Sequence, residues 1–424
     1  MSKKIIAYLF LMLPALLTTS CLTDQEDIFD KSASIRSAEY LENARKVLTS
    51  AENGWVMNYY PDNLQSFGGY SYVLTFDENN VTAYFVNGKT ETRTLSDGST
   101  EEVPVPETSI YSLTNEDGPC ISFDTYNSYL HYFATPSSGE YEAKGGDFIF
   151  IILNISEDQN TITLKGNRSG NLVRLYRNTE TPVKYISDCI AVTKGQLYET
   201  FVKDDVTMEL DLESQQVTVA VGEETAKSSY IITNKGIKFY EPLTVAGRTF
   251  DSFDYNEANH SYTSKDIESM ELVGKLPDGW RSYEDLAGRY RVGTADDAHI
   301  CTITANGDGE SYTISNLDSR LNGTATAYYK FTRGSFVISP QPMGMYGSSY
   351  YAWLIAISDN AMAWDTSIQF KGRNSATDPL TITFSGGEYT ELWTYAFTDD
   401  PPTGDGRAGY FTQFESPFTL VRVD

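Results

Sequence analysis

Gly69-Tyr-Ser-Tyr-Val-Leu-Thr-Phe76, Asp77-Glu-Asn-Asn80 and Val81-Thr-Ala-Tyr-Phe-Val86 form the stretch whose reading decides the fold. Aromatic and β-branched residues recur on either side of four turn formers, the pattern of two antiparallel strands joined by a hairpin. The same pattern recurs further along. Phe148 to Ile155 and Thr161 to Lys165 flank Ser-Glu-Asp-Gln-Asn, and Tyr230 to Thr233 and Ile237 to Tyr240 flank Asn234-Lys235-Gly236. Thirty Tyr and 21 Phe point the same way, because aromatic rings pack well on a pleated surface. The chain therefore reads as mostly β: an N-terminal helix, then antiparallel sheet domains, with a C-terminal small β-barrel or sandwich.

The helix is placed at Ser34 to Glu52, where Tyr40/Leu41, Ala44, Val47/Leu48 and Ala51 recur at helical spacing and Asn53-Gly54 supplies a left-handed stop. Residues 88 to 106, rich in Thr, Glu and Ser, read as a surface excursion. Between Ile186 and Asp204, Cys189, Ile190, Val192, Leu197 and Phe201 fit either one helix or two short strands, with helix favoured. Leu276-Pro-Asp-Gly-Trp280 reads as a linker before a short capped helical turn at Ser282 to Leu286. Beyond it come ten candidate strands: Gly288–Gly293, Ile300–Ala305, Ser311–Ser315, Ala325–Arg333, Ser335–Pro340, Ala352–Ser358, Ser367–Lys371, Leu380–Phe384, Thr390–Phe397 and Pro417–Val423. That density suits a barrel or sandwich. The domain plan is a signal at 1–20, an acidic tether at 21–33, a β-rich region at 34–280 with a candidate division near 181, and a C-terminal domain at 281–424.

Composition excludes one class of partner. The 424 residues carry 32 basic and 58 acidic side chains, a formal net charge of −26. Such a surface repels a phosphate backbone, so nucleic acid is not a ligand. The four cysteines, Cys21, Cys120, Cys189 and Cys301, are too few and too scattered for a disulfide framework. Lys3 and Lys4, the apolar run Ile5 to Leu17 and the small residues Thr18-Thr19-Ser20 before Cys21 form a secretory signal that ends in a cysteine. The run is shorter than the roughly 20 residues that span a bilayer, and Pro14 interrupts it.

This arrangement resembles the lipobox of bacterial lipoproteins, with Thr18 standing where leucine is commonest. The resemblance implies acylation of Cys21, loss of residues 1–20, and attachment to a membrane through the lipid. Asp24, Glu26 and Asp27 resemble the acidic tag that directs Bacteroidetes lipoproteins to the outer face of the outer membrane; a solvated acidic tether would look the same. Further on, Tyr40-Leu-Glu-Asn-Ala-Arg-Lys-Val-Leu-Thr-Ser-Ala-Glu-Asn-Gly-Trp55, Asn58-Tyr-Tyr-Pro61, Gly68-Gly-Tyr70, Gly145-Gly-Asp-Phe148, Leu164-Lys-Gly-Asn167, Gly236-Ile-Lys-Phe-Tyr-Glu-Pro-Leu243 and Gly247-Arg-Thr-Phe250 resemble the Bacteroidetes lipoproteins known as domain-of-unknown-function family 4302. That family has no established chemistry. The resemblance implies an accessory of nutrient capture that works beside an outer-membrane porin and lipoprotein importer of glycans or peptides. Read from the residues alone, these motifs are structural: Trp55 packs the helix on the sheet, Gly145 and Gly146 permit a bend, and Gly236 completes a turn.

Catalytic signatures are missing from the sequence. None of His131, His260 and His299 sits in an HExxH spacing, and no GxSxG, GxxxxGK[ST] or post-strand GxGxxG occurs. No cofactor and no metal site are expected. His299 and Cys301 share a strand face, Asp251 and Asp254 stand near His260, and Asn306-Gly-Asp-Gly-Glu310 resembles a calcium loop without its alternating acids. Each reads better as ordinary strand or turn. The remaining signal is aromatic, in Tyr328, Tyr329, Tyr346, Tyr350, Tyr351, Trp353, Trp364 and Trp393. Flat rings on a rigid sheet stack on sugar faces or grip apolar side chains, though alternate aromatics also fill barrels. Met343-Gly-Met-Tyr-Gly-Ser-Ser-Tyr-Tyr351 reads as a contact loop made mobile by glycine. Tyr346, Tyr350, Tyr351, Trp353, Trp364 and Trp393 are the candidate ligand-binding residues. The functional expectation is a surface-exposed, non-enzymatic binding lipoprotein; the alternatives are a hydrolase whose acids meet only in the fold, and a structural subunit of an import assembly.

Overall fold

The computed structural model describes residues 32–115, 118–136, 143–293, 298–358, 361–414 and 417–423. The signal, Cys21 and most of the tether lie outside the described residues. Among those described, no helix is long and apolar enough to cross a membrane. The described residues divide into two compact units, one within 32–57, 74–83 and 107–179 and one within 58–73, 84–106 and 180–423.

In the first unit, helix Ala33–Thr49 starts at Ser32, whose hydroxyl accepts the Ile35 N–H at 3.4 Å. The helix ends three residues before its expected limit. Its buried stripe is Ala44, Val47 and Leu48. Trp55 anchors it: the fully buried indole donates its Nε1–H to the Leu48 carbonyl at 3.0 Å, and the Arg177 guanidinium lies 4.8 Å from the ring centre. Strands Pro119–Ser122, Ile149–Ile155, Thr161–Gly166 and Leu172–Arg177 follow one another in antiparallel pairs, and Asn80–Phe85 pairs with Glu107–Ile110. The expected hairpin turn is present, with the Asp77 carboxylate accepting the N–H groups of Asn79 and Asn80.

The second unit is built on two closed eight-stranded barrels. The first runs in sequence order through Thr200–Lys203, Val206–Asp211, Gln216–Val221, Glu224–Ile232, Gly236–Val245, Arg248–Asn256, Ser261–Ser264 and Glu271–Lys275, and closes where Thr200 meets Lys275. Phe201, Met208, Tyr230, Phe239, Phe253 and Tyr262 fill its interior. Eight strands enclose a space about wide enough for side chains, so the barrel is a packed core. Helix Pro182–Gly195 precedes it, and Phe201 belongs to the barrel. The ambiguous stretch is thus a helix followed by a strand.

Gly236 is the first residue of a strand, where a Cβ would lie 2.1 Å from the Phe253 carbonyl oxygen. Close backbone approach sets this position. Tyr70–Phe76 is buried along nearly its whole length instead of alternately. Its first residues lie against the first barrel, with Gly69 bridging Ile231 and the Ser71 hydroxyl donating to the Ile232 carbonyl at 2.6 Å. Residues 88 to 106 contain an exposed two-stranded ribbon, Thr90–Thr94 with Thr100–Pro104.

The second barrel comprises Gly288–Val292, His299–Ala305, Ser311–Ser315, Thr324–Lys330, Ser335–Ile338, Phe370–Asn374, Thr381–Ser385 and Thr419–Arg422. Its last strand pairs with the first at Arg291 and Val421 and with the seventh at Thr381 and Val421. Two long excursions leave this barrel and pair outside it as an antiparallel sheet of Gln341–Tyr346, Tyr350–Ser358, Glu391–Phe397 and Arg407–Phe414, with Ala361–Ala363 alongside. The stretch 343–351, expected as a mobile loop, is a hairpin: Met345 faces Tyr351, and the register shifts between Pro342 and Gly344. Gly344 sits at φ +115°, so glycine here serves a bulge.

Asn306 to Glu310 form the turn between two barrel strands. The Asp308 carboxylate accepts the Ser311 hydroxyl and the N–H groups of Glu310 and Ser311, and the Tyr283 hydroxyl lies 3.1 Å away. The Ser311 hydroxyl first, and then those N–H groups, hold its carboxyl well below the usual carboxylate range. A depressed carboxyl stabilises the fold above its unfolded pKa of about 4 and ceases to do so as the pH falls further. Asp308→Ala is expected to melt below the parent at pH 7, with the gap narrowing as the pH is lowered from about 4 towards 2, read by thermal denaturation at each pH.

Candidate functional site

The sheet outside the second barrel has two unlike faces, because side chains alternate along each strand. Ala352, Leu354, Ala356, Leu392 and Phe414 join the barrel's own core. The opposite face carries Trp353, Ile355 and Phe397, with Tyr351, Ile357, Met362, Trp364, Trp393 and Tyr395 packed against them. In register, Tyr351 faces Phe397, Trp353 faces Tyr395, Ile355 faces Trp393, and Tyr395 faces Tyr410. The result is an aromatic platform whose centre is buried and whose rim is half-buried or exposed.

The rim rings are held in place. Trp393 donates its Nε1–H to the Glu391 carboxylate at 2.6 Å, and its ring centre lies 5.5 Å from that of Tyr410, which is 58% exposed. Trp364 meets Phe397 edge-on at 5.5 Å, and Tyr395 lies 5.1 Å from the same ring. Trp353 is only 6% exposed, and its Nε1–H has no acceptor among the described residues. Its role is to support the others.

A polar link fixes the inner face. The buried Thr394 hydroxyl donates to the Asp318 carboxylate and accepts the Thr412 N–H at 2.9 Å, while Arg320 bonds the Thr412 hydroxyl and stands 3.5 Å from Asp318. Burial pulls the Asp318 carboxyl up. Hydrogen bonds from Thr394, Thr412 and the Arg320 N–H, with the Arg320 charge, outweigh it and hold the group below its ordinary range.

The structure divides the expected binding residues. Tyr351, Trp353, Trp364 and Trp393 share the platform. Tyr346 and Tyr350 pair with each other at the far end of the hairpin, with Tyr346 4.7 Å from Phe411. Tyr328 is 54% exposed on a barrel strand, and Tyr329 donates to the Arg281 carbonyl at 2.8 Å. Tyr395 and Tyr410, which the sequence did not single out, stand beside the platform residues. Strand Arg407–Phe414 escaped notice because Ala408 and Gly409 weaken its β signal, although Tyr410 and Phe411 mark it.

The residues weighed for chemistry each have other neighbours. Asp251 pairs with Lys238 at 3.3 Å and Asp254 with Lys265 at 3.1 Å, while the His260 Nδ1 lies 3.2 Å from the Tyr255 hydroxyl. Cys301 is fully buried, whereas His299 places Nε2 3.1 Å from the carbonyls of Asn316 and Leu317. His131 stacks on Phe148 at 4.8 Å. Among the described residues, no three His, Cys, Asp or Glu side chains come together as a metal site.

Fold and surface thus define a two-barrel β protein with an external aromatic platform. The chain belongs to the family described as Domain of unknown function (DUF4302), whose model matches residues 25–257. A second model, also a domain of unknown function (DUF4987), matches residues 263–389. No curated protein matches the sequence. Among solved structures, the chain is matched to the crystal structure of a tryptophan-to-alanine mutant of the vaccine antigen Transferrin Binding Protein B from Haemophilus parasuis. Identity is 9%, coverage is 88% of this chain and 76% of that one, and the TM-score is 0.13, too low to bear on fold or function.

The division between support and rim predicts unequal costs. Trp353→Ala empties a buried site and is expected to cost about 3–5 kcal/mol. Tyr410→Ala, at an exposed ring, is expected to stay within about 0.5 kcal/mol of the parent in urea unfolding.

Proposed function

We propose that this protein is a lipid-anchored outer-membrane lipoprotein, facing the cell exterior, that acts as a non-enzymatic binding or accessory component of nutrient capture. Its ligand is a glycan or peptide held on the aromatic platform. The observation that carries this reading is the rim of Trp364, Trp393, Tyr395 and Tyr410 on a face turned away from the barrel core. Pre-positioned rings lose little freedom on binding, so contact area becomes affinity with small entropic cost. Support for the location comes from the signal-like segment before Cys21. A porin and lipoprotein importer is the proposed partner.

Two measurements test the reading. Calorimetry against a panel of oligosaccharides and peptides is expected to find a binder whose affinity falls at least about tenfold in the double variant Trp393→Ala with Tyr410→Ala, as for aromatic anchors generally. Saturating panels that give no heat, or a binder indifferent to both changes, would overturn it. For the anchor, Cys21→Ala is expected to move the protein from the membrane fraction to the soluble fraction, and protease added to intact cells is expected to digest the parent.

A further inference from the structure

Away from the platform, the two barrels face each other across a cleft within the second unit. It holds two adjoining cavities of about 660 and 610 Å³, which share Glu213, Arg333 and Arg373. Both volumes fall in the roughly 300–1,000 Å³ range of small-molecule sites. The cleft is unusual for this chain in its charge. Lys227, Lys275, Arg333, Lys371 and Arg373 line it against five acids, whereas the whole chain has 32 bases to 58 acids.

Most of those charges are already engaged, Lys275 with Asp278 at 3.6 Å among them. Glu199 faces Arg333 at 3.8 Å, Glu213 pairs with Lys371, and Asp211 accepts the N–H groups of Glu213 and Ser214 at 3.0 and 3.1 Å. The Glu199 and Glu213 contacts join one barrel to the other and hold the walls of the cleft. Arg373 and Lys227, one from each barrel, are exposed and have no ion-pair partner among the described residues. Gln369 adds a buried Oε1 with no donor among them.

We infer that this inter-barrel cleft binds a carboxylate-bearing ligand that also carries hydroxyl or N–H donors, with Arg373 and Lys227 receiving the carboxylate and Gln369 accepting from a donor. A guanidinium fork matches a carboxylate in shape as well as charge. With as many bases as acids, the cleft opposes an anion less than the 32 bases and 58 acids of the whole chain would on average. The site is separate from the platform and stands or falls independently of it.

The test is calorimetry on the full-length protein with two carboxylate probes, trigalacturonate and triglutamate, beside two neutral ones, the trigalacturonate methyl ester and triglutamine. At least one carboxylate probe is expected to bind, more weakly as salt rises, and neither neutral probe is. Which of the two binds distinguishes an acidic sugar from an acidic peptide. Arg373→Gln with Lys227→Gln is expected to cut the affinity at least about tenfold, the loss of roughly one charge-assisted bond. Trp393→Ala is expected to leave it unchanged. Silence from both carboxylate probes, equal binding by the neutral ones, or full affinity in a double variant with a parental circular dichroism spectrum would overturn the inference.

Discussion

Closure of the second barrel rests on one short strand, Thr419–Arg422, which pairs with Gly288–Val292 on one side and Thr381–Ser385 on the other. Arg422 adds a lock by donating to the carbonyls of Asp285 and Ala287, at the helical turn that opens the domain. Arg422 and Asp285 stand 137 residues apart, and the entropy of that loop is recovered only when the ring closes. Everything inserted between them is held by the same closure. That includes the excursions carrying the platform, whose inner face shares the barrel core through Ala352, Leu354 and Leu392.

Given closure, the Asp318 link decides where the platform points. A buried carboxylate is tolerated only with its bonds made, and here the Thr394 hydroxyl, the Thr412 side chain and the Arg320 N–H supply them from two neighbouring strands and the barrel loop. Because Thr394 looks inward, Trp393 and Tyr395 on the same strand must look outward. Orientation of the rings thus follows from the position of one threonine.

The β class and the hairpins at Gly69–Val86, 148–165 and 230–240 were legible because turn formers and alternation are local signals. So was the C-terminal barrel or sandwich, from the density of its strands. Barrel closure was not, since the pairing of Thr200 with Lys275 is a matter of geometry between distant segments. Met343–Tyr351 misled for a physical reason: Gly344 and Gly347 look like loop residues, yet one makes a bulge and the other a tight turn between paired strands. At the site, Trp353, Trp364 and Trp393 were visible as residue types. Nothing in the sequence distinguished the supporting Trp353 from the rim rings, because burial is decided by which neighbour covers which face.

This separation of support from rim follows from how barrels of this size are filled. Eight strands leave room for Phe201, Tyr230, Phe253 and Tyr262 in one interior, and for Tyr290, Tyr312 and Phe336 in the other, and for little else. Space for a ligand then has to come from outside the barrels. The second unit carries two surfaces outside its barrels, a sheet laid against one barrel with its aromatic face outward, and a cleft whose walls are joined by the Glu199–Arg333 and Glu213–Lys371 pairs. The first surface is apolar; the second is charged and lies between barrels joined by half-buried ion pairs that salt weakens in part. On the proposed readings, binding at the platform depends little on ionic strength, while binding in the cleft responds to it through the charge of the ligand and through the ion pairs between its walls.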